Sequence, residues 1–419
     1  MDTVRSPRVV YTRLEVEHSP DGRSGYQLLS RDGDLPAAVV AAIDRRVRCF
    51  QPADPSNERL QLSPLPEGRF LVARARVLTG TSRVLDGAGR NGIFLVECAV
   101  PDAAAMARME DDPFAFVSAL GLPQDARAVG DLLDRGGPGF EREVIAGRGG
   151  EAGAVLPADE TRSALALTRL VLRGAGSDGG SILLSLASDA AIGVVRTLFH
   201  LLPPPIRRVT SFDSAAEGCP HEPGEWTLLA MPRPPASAGG VPFDPRTPPA
   251  DGGEPDAGAS GVYLRWLRRA LARRSTAAIS EQTATAWFLA RRLFDEDATP
   301  PGRLDDATCR EILLRERAVL EDHLVRRLSR LGGGDLGRRL APCIGRRAAA
   351  STATAVGALF APSAAAEGRL ADLALTCVTD DTIHLGPVQR WRLTRRLRSR
   401  TRPRHGAGPA PAPVRRRAR

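Results

Sequence analysis

The chain has 419 residues and a formal net charge of +9, and it contains no lysine, so arginine supplies all of its basic side chains. At this length two or three domains are expected. The absence of lysine excludes a Walker A phosphate-binding loop, a protein-kinase active site and a lysine Schiff base. Composition therefore removes the common nucleotide-hydrolysing and pyridoxal-dependent classes of enzyme.

Elements in the first half alternate between strand and helix patterns. Residues 9–16 read VVYTRLEV, and a turn-rich SPDGRS separates them from residues 25–29, which predicts a β-hairpin. Pro36 opens a helix whose apolar face is formed by Ala38, Val39, Ala42, Ile43 and Val47 and which ends at Cys49 and Phe50. Residues 51–58 are predicted to be a loop. Further strands are predicted over residues 70–78 and 92–100, and short helices over residues 111–120 and 129–133.

Residues 181–214 form the unit around which the first half is organised. An apolar strand, Ile182 to Leu186, is followed by a helix with a buried stripe at Ile192, Val195, Phe199 and Leu202. Three prolines at 203–205 end the helix, and a second strand is predicted over residues 209–212. A strand–helix–strand crossover predicts a parallel pair within the sheet. A flexible insertion over 136–153, a helix over 161–172 and a last strand over 225–231 complete the predicted elements.

Beyond residue 231 the pattern changes. Residues 232–260 are rich in Pro, Gly, Ala and Asp and predict a linker, after which the apolar period becomes that of helices. Three helices are predicted around Trp266, around Trp287 and from Cys309 to Leu331, with two more Ala-rich helices after Asp335. The predicted fold class is α+β: a mixed β-sheet domain with packed helices over residues 1–231, an all-α region over 261–381 and a disordered basic tail over 382–419.

The tail holds most of the positive charge. Twelve arginines lie between Arg390 and Arg419, and subtracting these twelve charges from +9 leaves the rest of the chain near −3. Such a segment is either a solvated extension or a polyanion-binding arm, and Trp391 is its only aromatic residue. The candidate polyanion-binding residues are Arg390, Arg392, Arg395, Arg396, Arg398, Arg400, Arg402 and Arg404.

Other features predict the compartment. The six cysteines are far apart with no CxxC pair, which indicates reduced thiols rather than a disulfide framework or a zinc site. The N-terminus has no apolar signal core, and the uncharged residues 348–366 are mostly small, so a close-packed helix is favoured over a membrane span. We therefore expect a cytoplasmic protein.

The search for catalytic motifs gives two weak patterns. Gly87, Gly89 and Gly92 match G-x-G-x-x-G, but a predicted strand follows them, whereas a dinucleotide site needs a helix N-terminus there. Cys219 and His221 are the only close thiol–imidazole pair, and two ligands do not make a zinc site. We therefore predict no catalytic residue, cofactor or metal from the sequence.

Five segments stand out in unbroken order along the first half: YTRLEVEHSPDGRSGYQLLS at 11–30, DGAGRNGIFLVECAV at 86–100, DPFAF at 112–116, LLPPPIRRVTSFDS at 201–214 and GCPHEPGEW at 218–226. Together they resemble the N-terminal domain of the GTPase-associated protein family of bacterial conflict systems. The family pattern prefers histidine at the position of Glu97, so a site built on that histidine is not expected here. The resemblance implies an adaptor or regulator encoded with a GTPase, and it implies no catalytic residues.

Three hypotheses follow from the sequence. The first is a non-enzymatic interaction protein that binds a GTPase or effector-associated protein through its α+β half. The second is a nucleic-acid or acidic-surface binder that acts through the arginine-rich tail. The third is a hydrolase whose active site is assembled from residues distant in the sequence.

Overall fold

A computed structural model describes most of the chain as far as residue 319. The described ranges are 3–19, 22–30, 35–48, 58–134, 143–147, 155–174, 180–216, 226–234, 240–248, 258–294, 296–298, 301, 304–316 and 319. The predicted Ala-rich helices after Asp335 and the basic tail lie outside them.

The described residues contain ten β-strands, all hydrogen-bonded into one network. They are β1 (Thr3–Leu14), β2 (Gly25–Ser30), β3 (Arg59–Pro64), β4 (Phe70–Val77), β5 (Phe94–Ala99), β6 (Glu143–Gly147), β7 (Ser181–Leu184), β8 (Phe212–Asp213), β9 (Leu228–Ala230) and β10 (Gly240–Phe243).

Ten α-helices are found in the same ranges. They are α1 (Ala37–Arg48), α2 (Ala103–Arg108), α3 (Phe114–Val117), α4 (Ala126–Asp134), α5 (Ala158–Gly174), α6 (Ser188–Leu201), α7 (Pro204–Arg207), α8 (Gly258–Leu271), α9 (Thr276–Leu293) and α10 (Asp306–Arg315). Strands and helices of this kind, with a mixed sheet, confirm the predicted α+β class.

The sheet consists of a parallel half and an antiparallel half. Its strand order is β10-β7-β9-β8-β3-β4-β5-β1-β2, with β6 paired to the start of β1. The first four strands run parallel to one another, and β3 to β2 alternate in direction. The two halves meet where β8 pairs antiparallel with β3, with Gln61 opposite Asp213 and Leu62 opposite Phe212.

Helices cover both faces of the sheet. Successive residues of a strand point to opposite faces, so buried strand residues pack against helices on each side. Along β4, Leu71 and Ala73 face the cluster that contains Ile43 of α1, whereas Phe70 and Val72 face the larger cluster under α2, α3, α5 and α6. A third cluster packs α4 against the ends of β1 and β5. Trp226 is buried against Leu183 and Leu229 on the other face of the parallel half.

The central crossover is confirmed in outline and corrected in detail. Strand β7 and helix α6 form as predicted, and parallel pairs are present, but β7 and β8 are not neighbours because β9 lies between them. The second strand begins at Phe212 rather than Val209, since Pro204 starts the short helix α7. Val209 is 56% exposed, so it was not available as a core strand residue.

Several other predictions need correction. The expected helix over 111–120 is reduced to α3, and the preceding α2 was missed. The expected flexible insertion contains β6, which pairs with β1. The strand expected to be last, over 225–231, is followed by β10, which lies inside the segment predicted to be a linker and pairs with β7.

Helix α8 belongs with the sheet. It contacts α5, and the Tyr263 hydroxyl donates a hydrogen bond to the Leu201 carbonyl at 2.6 Å. The chain divides into two compact units after Trp287, beyond the 232–260 linker expected from composition. Tyr263 and Trp266 of α8 are both fully buried, and the whole of α8 belongs to the first unit.

Candidate functional site

The junction between the two halves of the sheet is held by an ion pair that is shielded from solvent. Arg59 of β3 donates from Nε and Nη2 to the two carboxylate oxygens of Asp213 of β8, at 2.8 and 2.6 Å. The Gln61 amide donates to the same carboxylate at 3.0 Å, and the Ala215 N–H does so at 3.1 Å. Burial alone would raise the pKa of Asp213, but the charge and hydrogen bonds of Arg59, with those of Gln61 and Ala215, hold it below its ordinary value.

A second set of hydrogen bonds attaches helix α6 to this junction. The Ser214 hydroxyl accepts from the Leu60 N–H at 2.8 Å and lies 2.7 Å from the Ser188 hydroxyl. Ser188, at the start of α6, donates to the Glu58 carbonyl. The first turn of α6 is thereby fixed beside the start of β3, at the carboxyl end of β7.

A small cavity lies beside this junction. It has a volume of about 170 Å³, and most of its polar lining comes from arginine. Its walls are formed by Glu58, Arg59, Leu60, Arg74, Val117, Ser118, Ile192 and Arg196. Residues from β3, β4, α6 and the end of α3 thus meet at one place although they are far apart in the sequence.

Two of the arginines are positioned by contacts of their own. Arg74 forms a two-point ion pair with Glu58, with Nε 2.9 Å from one carboxylate oxygen, and its Nη1 donates to the Leu120 carbonyl at 3.1 Å. The Arg196 guanidinium lies over the ring of Phe114, 5.2 Å from its centroid. Phe114 is itself buried and packs edge-to-face on Phe199, so it gives Arg196 a rigid support.

Guanidinium groups dominate the polar lining of the cavity. Among the described residues that line it there is neither histidine nor cysteine, and the one hydroxyl, on Ser118, donates to the Phe114 carbonyl at 3.2 Å. A nucleophilic serine needs a neighbouring base. The carboxylate in this lining, that of Glu58, is paired with Arg74. Guanidinium groups recognise carboxylates and phosphates through paired N–H donors.

Glu97 occupies a second buried charge site, in the antiparallel half. It lies on β5 between Arg8, at 3.2 Å, and Arg76, at 3.8 Å, and it accepts a hydrogen bond from the Leu122 N–H at 3.0 Å. Burial raises the pKa of Glu97 above its ordinary value, although the two arginines oppose the shift. The Glu97 carboxylate therefore serves internal contacts.

Arg207 is a buried cation that supports the turn after α6. Its guanidinium donates to three carbonyl oxygens and two hydroxyls: those of Leu202, His200, Glu110, Ser280 and Thr283. Burial lowers the pKa of Arg207. Its partners are mainly backbone acceptors, so its role is to hold α6, α7 and the start of α9 together.

The glycine-rich loop is built around a carboxylate. The following residues form β5, so the predicted strand after the loop is confirmed. Asp86 accepts hydrogen bonds from the Arg90 N–H and guanidinium, at 2.8 to 3.0 Å. Gly89 has a φ of 65°, which the tight turn requires. An acidic centre and a following strand provide no helix N-terminus for a pyrophosphate.

The other sequence candidates are not brought into this site. Cys219, His221 and the tail arginines from Arg390 to Arg404 lie outside the described residues. Cys98 and Cys309 are free and buried, as expected of reduced thiols, and burial raises the pKa of Cys98. Within the described ranges, no three His, Cys, Asp or Glu side chains are grouped to hold a metal ion. None of the described helices is long and apolar enough to cross a membrane.

Sequence reasoning missed the residues that build the cavity. Strand β3 was not predicted, although Leu60 and Leu62 alternate with Arg59 and Gln61 as in a half-buried strand. That alternation was the available signal. Comparison of the chain with protein-family models, with curated proteins and with solved structures found no match.

Proposed function

We propose that this protein is a non-enzymatic adaptor or regulatory component that binds a GTPase or effector-associated partner in a bacterial conflict or signalling system. The observation that carries the non-enzymatic part is the composition of the cavity at the sheet junction. It presents three arginines and one glutamate without a nucleophile–base pair. The choice of a GTPase system rests on the resemblance of residues 1–231 to the GTPase-associated family.

The architecture supports a binding role in a second way. The charged side chains beside the cavity are used in fixed internal contacts, above all the buried Arg59 with Asp213 and the half-buried Arg74 with Glu58. Groups held in this way keep a recognition surface in one shape, which lowers the entropy cost of binding. Catalytic acids and bases instead need access to a reacting atom.

Affinity capture of the tagged full-length chain from its own cells tests this function. We expect a GTPase to be enriched over a tag-only control, and we expect the purified chain to turn over no ester, phosphodiester or peptide substrate. Turnover that is abolished by Ser118→Ala would contradict the proposal and favour the hydrolase hypothesis.

The arginine-rich tail favours a second candidate function, contact with nucleic acid or another polyanion. Its twelve arginines release counterions on binding, so the affinity should fall steeply with salt. Deletion of residues 388–419 should remove this binding without changing the melting temperature or the capture of the GTPase. Loss of the GTPase on deletion would make the tail the functional element instead of the α+β unit.

A further inference from the structure

The sheet has two outer strands, β10 and β2, at the ends of its strand order. The backbone groups on the outer side of such a strand can pair with another chain. On β10 the Phe243 carbonyl accepts from the Ser185 N–H at 3.0 Å, so the backbone groups of Phe243 point to β7 and those of Pro242 point outward. Proline has no N–H, so Pro242 hinders the pairing of a further strand with β10.

Strand β2 (Gly25–Ser30) presents a more complete outer edge. The Val100 N–H donates to the Pro7 carbonyl at 3.0 Å, which directs the backbone groups of Pro7 to the β5 side of β1. The register of β1 with β5 and with β2 is continuous, so alternate β1 residues from Pro7 onward point to β5 and the residues between them point to β2. The β2 residues whose N–H and C=O groups point away from β1 are therefore Tyr26, Leu28 and Ser30.

The edge of β2 also carries none of the residues that usually block an edge strand. Its sequence, GYQLLS, contains no proline and no charged residue. By contrast, β6 carries the ion pair of Glu143 with Arg5 at 3.1 Å. Among the described strands, β2 pairs with β1 alone. Natural proteins protect edges that must stay unpaired, so an unprotected edge is a template for a further strand.

The side chains beside this edge are apolar. Tyr26 is 36% exposed, and its ring stacks on that of Phe94 with the centroids 4.2 Å apart. Leu28 is half-buried against the cluster under α1, and Val40 of α1 packs against the same cluster. Residues 37–43 of α1, AAVVAAI, are uncharged as well. A strand that pairs with β2 therefore adds apolar burial to its backbone hydrogen bonds.

A second copy of the same chain matches this edge. Antiparallel pairing about a two-fold axis at Leu28 places Leu28 opposite Leu28 of the second copy, and Tyr26 opposite Ser30. This register uses all three outward positions, because the members of each pair direct their backbone groups toward each other. Since β2 carries no charge, the pairing brings no like charges together along the strands.

We propose that β2 is a self-association surface, through which two copies of this chain join their sheets in antiparallel register about Leu28. A pair of six-residue strands lies at the low end of interface sizes, below the roughly 1,200–2,000 Å² of stable complexes. The dimer is therefore reversible, with a dissociation constant on the order of 10 µM. This inference is independent of the proposed function, because it uses no contact with a GTPase.

Sedimentation velocity of the full-length chain tests the proposal from about 1 to 200 µM, after nuclease treatment that removes nucleic acid from the tail. Leu28→Arg and Leu28→Glu each place like charges opposite each other at the two-fold axis, whereas an equimolar mixture of the two variants places opposite charges there. Val241→Arg is the matched control, because Val241 is an exposed apolar residue of the other outer strand, β10.

We expect the wild type and Val241→Arg to dimerise with the same dissociation constant. Each Leu28 variant alone should raise this constant about tenfold or more, and the mixture should restore it to within about threefold of the wild type. A wild-type chain that stays monomeric at about 200 µM would overturn the proposal. A mixture that associates no better than its components, or an equal loss in Val241→Arg, would do the same.

Hydrogen exchange of the wild-type chain gives a second test that needs no substitution. The outward amides of Tyr26, Leu28 and Ser30 should exchange about fivefold more slowly at about 200 µM than at about 2 µM, because most chains are then paired. The amides between them, which pair with β1, should not change. Equal exchange of the outward amides at both concentrations would contradict self-association through β2. Failure to capture a GTPase would leave these results unaffected, so the two proposals fail separately.

Discussion

The two halves of the sheet each bury a carboxylate beside arginine, and the two carboxylates have opposite pKa shifts. Asp213, at the junction with the parallel half, is held below its ordinary pKa, whereas Glu97, in the antiparallel half, is raised above it. Burial by itself would raise the pKa of both carboxyl groups. The difference lies in the contacts, because Asp213 receives a two-point pair from Arg59, whereas the arginines beside Glu97 lie at 3.2 and 3.8 Å.

This comparison shows that burial alone does not define the role of a charged residue. Asp213 lies where α6 and β3 must be kept in register beside the cavity, and its hydrogen bonds to Arg59 and Gln61 fix that geometry. Glu97 lies at a more loosely paired position. The same substitution, carboxylate to amide, should therefore have unequal effects at the two sites.

The largest loss in the free energy of unfolding is expected for Asp213→Asn. The substitution leaves Arg59 buried without its counter-charge, and breaking a buried pair in this way costs about 3–5 kcal/mol. Urea unfolding monitored by circular dichroism measures the loss. The double variant Arg59→Met with Asp213→Leu removes both charges and should be more stable than Asp213→Asn. A loss below about 1 kcal/mol, as for an exposed pair, would contradict this account of the junction.

A second prediction concerns the pH dependence of unfolding. The folded pKa of Asp213 is lowered, so its contribution is present above its ordinary value of 3.8 and is lost as the pH falls through the folded value. The folded pKa of Glu97 is raised, so its contribution is present below 4.5 and is lost as the pH rises through the folded value. The free energy of unfolding is measured from pH 3 to pH 7. Relative to the wild type, Asp213→Asn and Glu97→Gln should change the slope of this free energy against pH in opposite directions. Equal slopes in the two variants would refute the assigned pKa shifts.

The smallest change in the free energy of unfolding is expected for Glu97→Gln. The amide oxygen can still accept from the Leu122 N–H, and the neutral side chain avoids the cost of burying an ionised carboxylate. We expect a change of less than about 1 kcal/mol at pH 7, against a few kcal/mol for Asp213→Asn. If the Glu97 variant proved the less stable of the two, the comparison between the halves would be reversed.

Local patterns predicted much of the fold. The β1–β2 hairpin, α1, α5 and α6 follow from apolar periods that lie within a few residues of one another, and the structure confirms them. Strand β3 was not predicted. Its polar residues Arg59 and Gln61 are buried because they pair with Asp213, which lies more than 150 residues later in the sequence. The strand β10, with the sequence GVPF, was hidden in a Pro- and Gly-rich segment.

The candidate site could not be predicted from the sequence because it also depends on contacts between residues that are far apart along the chain. Its lining residues come from four separate segments, and nothing in the local pattern of Arg74 or Arg196 distinguishes them from solvated arginines. Phe114, which supports Arg196, was predicted to lie in a helix, but no sequence period relates the two residues. Such a site appears only when the sheet brings its segments together.

The central claim is that the arginine-lined cavity is a recognition site, and capture of the partner by cavity variants tests it most directly. Full-length chains carrying Arg196→Gln or Arg127→Gln are compared with the wild type for the amount of GTPase that each recovers at physiological salt. We predict a loss of about tenfold for Arg196→Gln, because the substitution removes from the cavity wall the guanidinium that packs on Phe114, and no change for Arg127→Gln. Recovery by Arg196→Gln equal to that of the wild type would contradict the claim.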